Sequence, residues 1–188
     1  MHKELRGLVS VIAVLWIVHA VDWLIPIDFN TYGLVPRTAS GLIGIVTMPF
    51  LHGSWGHLIG NTIPLALLVF ILCGSRDNVW EVIGSIVVLG GLLLWCFGRP
   101  AVHVGASGLV YGLIGFLIAS GFVERKIVPI FVALLVGFFF GSSLFFGILP
   151  TAGAGVSWDG HLFGTIGGCV TAYLFAKRSD AISSDFSV

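Results

Sequence analysis

Ser107, His161, His57 and Asn61 stand within apolar stretches of this 188-residue chain. A serine hydroxyl is a poor nucleophile until a neighbouring base accepts its proton, and imidazole is the usual base near neutral pH. Ser107 and His161 are the candidate pair. The oxygen of an attacked amide carbonyl gathers negative charge, and donors aimed at it in advance stabilise that charge: backbone N–H groups, an Asn amide or a His ring. Asn61 and His57 lie one helical turn apart, so both can face one point. Ser107 adds its own N–H if it begins its helix, where the first N–H groups have no intrahelical partner and the dipole favours an anion. The run Gly105-Ala106-Ser107-Gly108 suits such a start, because flanking glycines permit a tight turn and close approach by another backbone. Alone, that string is a weak signal. The related GxSxG turn of soluble hydrolases requires a preceding strand, which is not predicted here, and a serine among glycines in a membrane helix also serves packing.

The elements that hold these residues follow from composition. The chain is 57% hydrophobic and 10% charged, with 26 glycines, whereas soluble domains average about 45–50% apolar and about 25% charged. This is the composition of a membrane protein, and its chemistry belongs in or at the bilayer. Apolar runs predict six spans, near 7–25, 57–73, 79–97, 107–123, 127–148 and 160–176. They form one all-α domain over 1–188. The first run is too long for a removable signal peptide and lacks a small-residue cleavage site.

Lys3, Arg6, Arg76, Arg125, Lys126, Lys177 and Arg178 fall on one side of this arrangement, and Arg37 and Arg99 on the other. Basic residues favour the cytoplasmic side, which puts both termini there. Nine basic and nine acidic residues give no net charge, which argues against a nucleic-acid partner. Cys73, Cys96 and Cys169 lie singly in apolar runs without metal-binding spacing, as small buried hydrophobes. The segment 26–56, with Pro26, Pro36 and Pro49, reads as lying at the outer interface.

Depth can be counted from each helix's cytoplasmic end at about 1.5 Å per residue. Ser107 and His161 lie roughly 25 and 24 Å above Glu124 and Lys177, and Asn61 and His57 roughly 22 and 28 Å above Arg76. Four polar side chains from three helices therefore share one layer, where a polar group is costly and faces the protein interior or water. Gly108, Gly112 and Gly115 on one helix, and Gly164 and Gly168 on another, put small residues on one face of each, so that the two backbones approach closely.

The segments His52–Asn61 (HGSWGHLIGN), Gly105–Gly115 (GASGLVYGLIG) and Gly160–Gly168 (GHLFGTIGG) resemble the rhomboid intramembrane serine proteases, in that family's order and on its second, fourth and sixth helices. The resemblance implies a six-helix rhomboid-like bundle with a Ser107–His161 dyad and no cofactor or metal. It implies oxyanion stabilisation by His57, Asn61 and the Ser107 N–H, and substrates that are single-pass membrane proteins cut in or near their membrane segment. His52 matches a second histidine of the motif, with a structural or hydrogen-bonding role near the surface. Gly105, Gly108, Gly164 and Gly168 support the site. Asp159, two residues before His161, reads as part of the outer loop. The minimal core also implies a prokaryotic cell membrane.

One departure is that 26–56 lacks the Trp-Arg pair of many members and offers only Arg37. The fifth span carries Gly137-Phe138-Phe139-Phe140-Gly141, either a gate or a lipid-facing surface. Two other functions stay open: a non-catalytic relative that binds membrane clients without cutting them, and a small transporter. For the latter, His19 and Asp22, three apart in the first span, would be a fragment of a polar pathway, unless Asp22 makes an interfacial hydrogen bond.

Overall fold

The computed structural model describes residues 2–150 and 155–185. Its described residues form α1 (His2–Leu24), the single turn α2 (Gly44–Thr47), α3 (Trp55–Ser75), α4 (Val79–Phe97), α5 (Ser107–Glu124), α6 (Ile127–Gly147) and α7 (Trp158–Asp185). Five of these, α1 and α3 to α6, are long and apolar enough to cross a bilayer. Helix α7 is less apolar because glycines, Asp159, His161, Thr165 and Thr171 interrupt its hydrophobic run. Each of the six expected spans is a long helix, and the fold is the expected helical membrane bundle. The largest differences are at the outer termini, where α1 begins at His2 and α7 runs on to Asp185.

Local chemistry sets the boundaries. The Ser54 side chain accepts from the His57 N–H at 3.1 Å and caps α3, so this helix begins two residues earlier than the apolar run suggests. Helix α4 ends with its last carbonyls turned toward Arg37, whose guanidinium donates to Cys96 O at 3.3 Å and Gly98 O at 2.8 Å. Arg37 thus supplies a helix C-cap, a cation placed where the dipole is negative.

Helix α5 is the centre of the bundle, with most of its residues buried. It meets α7 through glycines. A Cβ on Gly164 would overlap the Gly108 carbonyl, and one on Gly168 would overlap the Gly112 carbonyl. Helix α4 joins the same contact, since a Cβ on Gly167 would stand 2.7 Å from the Gly90 nitrogen. By contrast α6 lies at the outside, with Val136 its one buried residue. Phe138 is 83% exposed and Phe139 65%, so this face meets lipid. At the end of the bundle opposite Ser107, Arg76 pairs with Glu124, donates to Ser120 Oγ at 3.2 Å and lies over the Phe116 ring.

The segment between α1 and α3 packs on the bundle instead of projecting from it. Leu34, Ile45 and Met48 are buried against Leu94. Leu34 and His103 exchange backbone hydrogen bonds of 3.0 and 2.8 Å, and the Met48 carbonyl accepts from the Gly105 N–H at 2.9 Å. Asp22 Oδ1 accepts from the Phe29 N–H at 2.6 Å, the interfacial bond considered for it. The cysteines need correction. Cys73 is half-buried, but Cys96 and Cys169 are exposed on the bundle's surface, and all three are free thiols.

Because Gly164 has no room for a side chain against Gly108, Gly164→Val is expected to destabilise the protein by about 3 kcal/mol, the upper range for overpacking. Gly137→Ala, whose Cβ would meet no atom within 4 Å, is expected to add about 0.5–1 kcal/mol. Tryptophan-fluorescence melting in detergent measures both.

Candidate active site

Ser107 is the first residue of α5, with Ala106 at the N-cap, so its backbone N–H is one of the four that the helix leaves without a partner. The approach to that helix start is made by Gly105, at φ +112°, a left-handed conformation that disfavours any side chain. Space demands glycine there as well. A Cβ on Gly105 would stand 2.6 Å from the His57 ring and 3.3 Å from Asn61 Nδ2. His57, Asn61 and the turn before Ser107 are therefore in contact, as their common depth predicts.

Asn61 is buried, and among the described residues its Nδ2 has no hydrogen-bond partner. A buried amide donor with no partner costs stability, and here it lies beside the turn before Ser107. His57 is half-buried on the same face of α3.

His161 is held from two sides. Its Nδ1 lies 2.9 Å from the carbonyl oxygen of Gly147, at the end of α6. A carbonyl can only accept, so Nδ1 carries the proton, and in the neutral ring Nε2 is left as the acceptor. The ring stacks flat on Tyr111, with centroids 4.0 Å apart and planes 2° from parallel. Tyr111 is one turn beyond Ser107 on α5, and its hydroxyl donates to Ser143 O at 2.9 Å. The imidazole is thus fixed against the helix that carries Ser107. Among the described residues, neither the Ser107 hydroxyl nor His161 Nε2 makes a hydrogen bond. The pair sits on two helices in backbone contact, as in many resting sites that tighten with substrate bound.

The supporting glycines divide by position. Gly108 and Gly164 form the α5–α7 contact beside Ser107 and His161, Gly168 extends it one turn deeper, and Gly105 shapes the turn. His52 is buried just before α3, and among the described residues both its ring nitrogens lack hydrogen bonds of normal geometry. It lies edge-on between His19, at 6.4 Å, and His57, at 5.1 Å. Its position is interior, not at the surface. His19 packs on Trp55 at 4.6 Å.

Tyr111 was legible in principle, four residues after Ser107 and so on its face of the helix, but the role of the Gly147 carbonyl has no sequence signal. Asp159 requires correction. It is the second residue of α7, 1% exposed, and it accepts from Arg99 through both backbone and side chain. It is outside the dyad but is no loop residue.

The Rhomboid domain pattern matches residues 39–178 of this chain. Uncharacterized proteins of Mycobacterium tuberculosis and Mycobacterium bovis are 38% identical over 179 residues, covering 90% of this chain and 74% of each relative. An uncharacterized protein of Mycobacterium leprae is 35% identical over 179 residues, covering 90% of this chain and 70% of its own. The chain belongs to the rhomboid family, whose members are generally intramembrane serine proteases, and it is an integral membrane protein.

Burial, and next the charge of neighbouring His57, hold His52 down to about pKa 4. As pH falls below 6.5 the unfolded chain takes up this proton and the folded chain does not, so stability is lost between about pH 6.5 and 4. The loss at pH 4 is expected to be on the order of 2–3 kcal/mol. His52→Phe, facing His19 and His57, should flatten that part of the profile, read by tryptophan-fluorescence melting at pH 7.5, 5.5 and 4.5.

Proposed function

We propose that this protein is an intramembrane serine endopeptidase, with Ser107 as nucleophile and His161 as general base. The observation that carries this reading is the setting of His161: Nδ1 donates to the Gly147 carbonyl and the ring is clamped on Tyr111. That arrangement fixes the tautomer whose Nε2 accepts a proton and holds the ring beside the helix whose first residue is a serine.

In the proposed reaction, Ser107 Oγ attacks a peptide carbonyl carbon and its proton passes to His161 Nε2. The carbonyl π electrons move to oxygen, and that oxyanion is met by the Ser107 N–H, Asn61 Nδ2 and the His57 ring. When the tetrahedral intermediate collapses, the C–N bond breaks and His161 returns the proton to the departing amine. Water, deprotonated by His161, then attacks the acyl-enzyme, and its collapse restores the Ser107 hydroxyl. No metal takes part in this scheme.

The substrates are single-pass membrane proteins cut in or near their membrane segment. A helix hides its carbonyls in its own hydrogen bonds, so the segment must unwind at the cut, and glycine or other weak helix formers lower that cost. The distribution of basic residues supports cytoplasmic termini, which puts the Ser107 layer toward the outer face. The mycobacterial relatives support a bacterial cell membrane.

A fluorophosphonate probe tests the nucleophile directly. Wild-type protein in detergent is expected to label at Ser107, and Ser107→Ala not at all. His161→Ala should slow labelling by about 10²–10⁴-fold. Asn61→Ala should slow substrate cleavage by about 10²–10³-fold, the cost of one oxyanion donor. Absence of wild-type labelling with intact protein overturns the reading.

A further inference from the structure

A second polar cluster lies at the Ser107 end of the bundle, and the proposed chemistry uses none of it. It joins the segment before α5 to the start of α7. Asp159 Oδ2 accepts from the Arg99 backbone N–H at 2.8 Å, and Oδ1 accepts from the Arg99 guanidinium at 3.1 Å. The guanidinium also donates to Val156 O at 3.3 Å and lies over the Trp158 ring. His103 Nε2 lies 3.1 Å from the Arg99 carbonyl, so it carries the proton, and Nδ1 accepts from the Ser157 hydroxyl at 2.6 Å. Ser157 Oγ is 3.5 Å from Asp159 Oδ1 and His103 Nε2 is 3.8 Å from Asp159 Oδ2. His103 is 2% exposed and Asp159 1%.

The register of this cluster gives it meaning. His103 is four residues before Ser107, and Ser157 is four residues before His161. Between His103 and Ser107 the chain is not helical and turns at Gly105, so the first intrahelical bond of α5, from Val110 N–H to Ala106 O at 3.0 Å, does not reach His103. The α5–α7 glycine contact sets how closely the two helices approach. Packing there, including the Tyr111–His161 stack and Thr165 against Gly115, is non-directional and opposes sliding along the helix axes less sharply than hydrogen bonds do. Directional hydrogen bonds between the two leading segments oppose that motion.

We propose that Asp159, His103 and Ser157 are positioning residues that lock the axial register of α5 against α7 and so hold Ser107 and His161 at working separation. This rests on the dyad reading above. They touch no reacting atom, and they act through the Gly105 turn and the first turn of α7. A misplacement of about 1 Å costs catalysis about 10²-fold, so the clamp's effect belongs in kcat. The substrate's membrane segment binds elsewhere, and KM should move little.

The experiment measures cleavage kinetics and amide hydrogen exchange on the same detergent-solubilised proteins. Asp159→Leu and His103→Phe are each expected to lower kcat by about 10- to 100-fold with KM within about threefold of wild type. The double variant should be no worse than either single one, as residues of one network are not additive. Exchange should rise in 98–107 and 155–161 and stay unchanged in the body of α5. Ser157→Ala removes a single hydroxyl at a half-buried position and keeps the test open if the larger changes prevent folding. It should lower kcat about 3- to 10-fold with the same local exchange pattern. Unchanged kcat, a loss confined to KM, or no local rise in exchange for the folded variants overturns the proposal. If wild-type protein neither labels nor cleaves, the dyad reading fails, and the exchange pattern still decides whether the clamp exists.

Discussion

Gly164 lies so close to the Gly108 carbonyl that no side chain fits between them, and one turn deeper Gly168 meets Gly112 in the same way. This backbone contact between α5 and α7 governs the molecule. In lipid there is little hydrophobic gain in bringing two apolar helices together, so association depends on close van der Waals packing and polar contacts. Glycine stripes provide the close packing, and they bring together the two helices whose leading turns hold Ser107 and His161. With α4 in the same contact through Gly90 and Gly167, three helices pack closely together, while α6 lies outside them with Phe138 and Phe139 toward lipid.

A polar site within an apolar bundle must keep its groups satisfied or justify leaving them unsatisfied. His161 meets this demand with one nitrogen on a backbone carbonyl and its face on Tyr111. Asn61 does not, because its Nδ2 is buried without a partner among the described residues. A donor left unpaired at a stability cost, beside a helix N-terminus with its own unpaired N–H groups, suits the oxyanion-stabilising role proposed for it. The Asp159 network shows the opposite design, in which buried polar atoms bond one another and hold backbone segments together.

Much of this was legible from residue types and spacing. The six spans follow from apolar runs long enough to cross a bilayer. The helix start at Ser107 follows from glycines around a serine, and the α5–α7 contact from glycines at intervals of three and four. The common depth of His57, Asn61 and the Ser107 turn follows from counting residues against helix rise. What stayed hidden depends on contacts distant in sequence. The Gly147 carbonyl leaves no mark on residue identity, since any residue could supply it. Asp159 looked like a loop residue because a charge beside an apolar run usually marks its end, and only Arg99, sixty residues earlier, makes its burial tolerable. Cys96 reads as buried by hydropathy, but in a membrane an apolar residue can be exposed to lipid at little cost, so hydropathy does not separate core from surface. The Arg37 cap on α4 gives a purpose to the basic residue of a segment that lacks the family's Trp-Arg pair.

The central claim is peptide-bond hydrolysis at the Ser107 layer of the bilayer. Its most direct measurement is cleavage of a single-pass reporter by purified protein in proteoliposomes, with the products' masses locating the cut. The account predicts a cut in or near the outer end of the reporter's membrane segment and none with Ser107→Ala. Cleavage that persists in Ser107→Ala, or wild-type protein that binds reporters and leaves them whole, would contradict it.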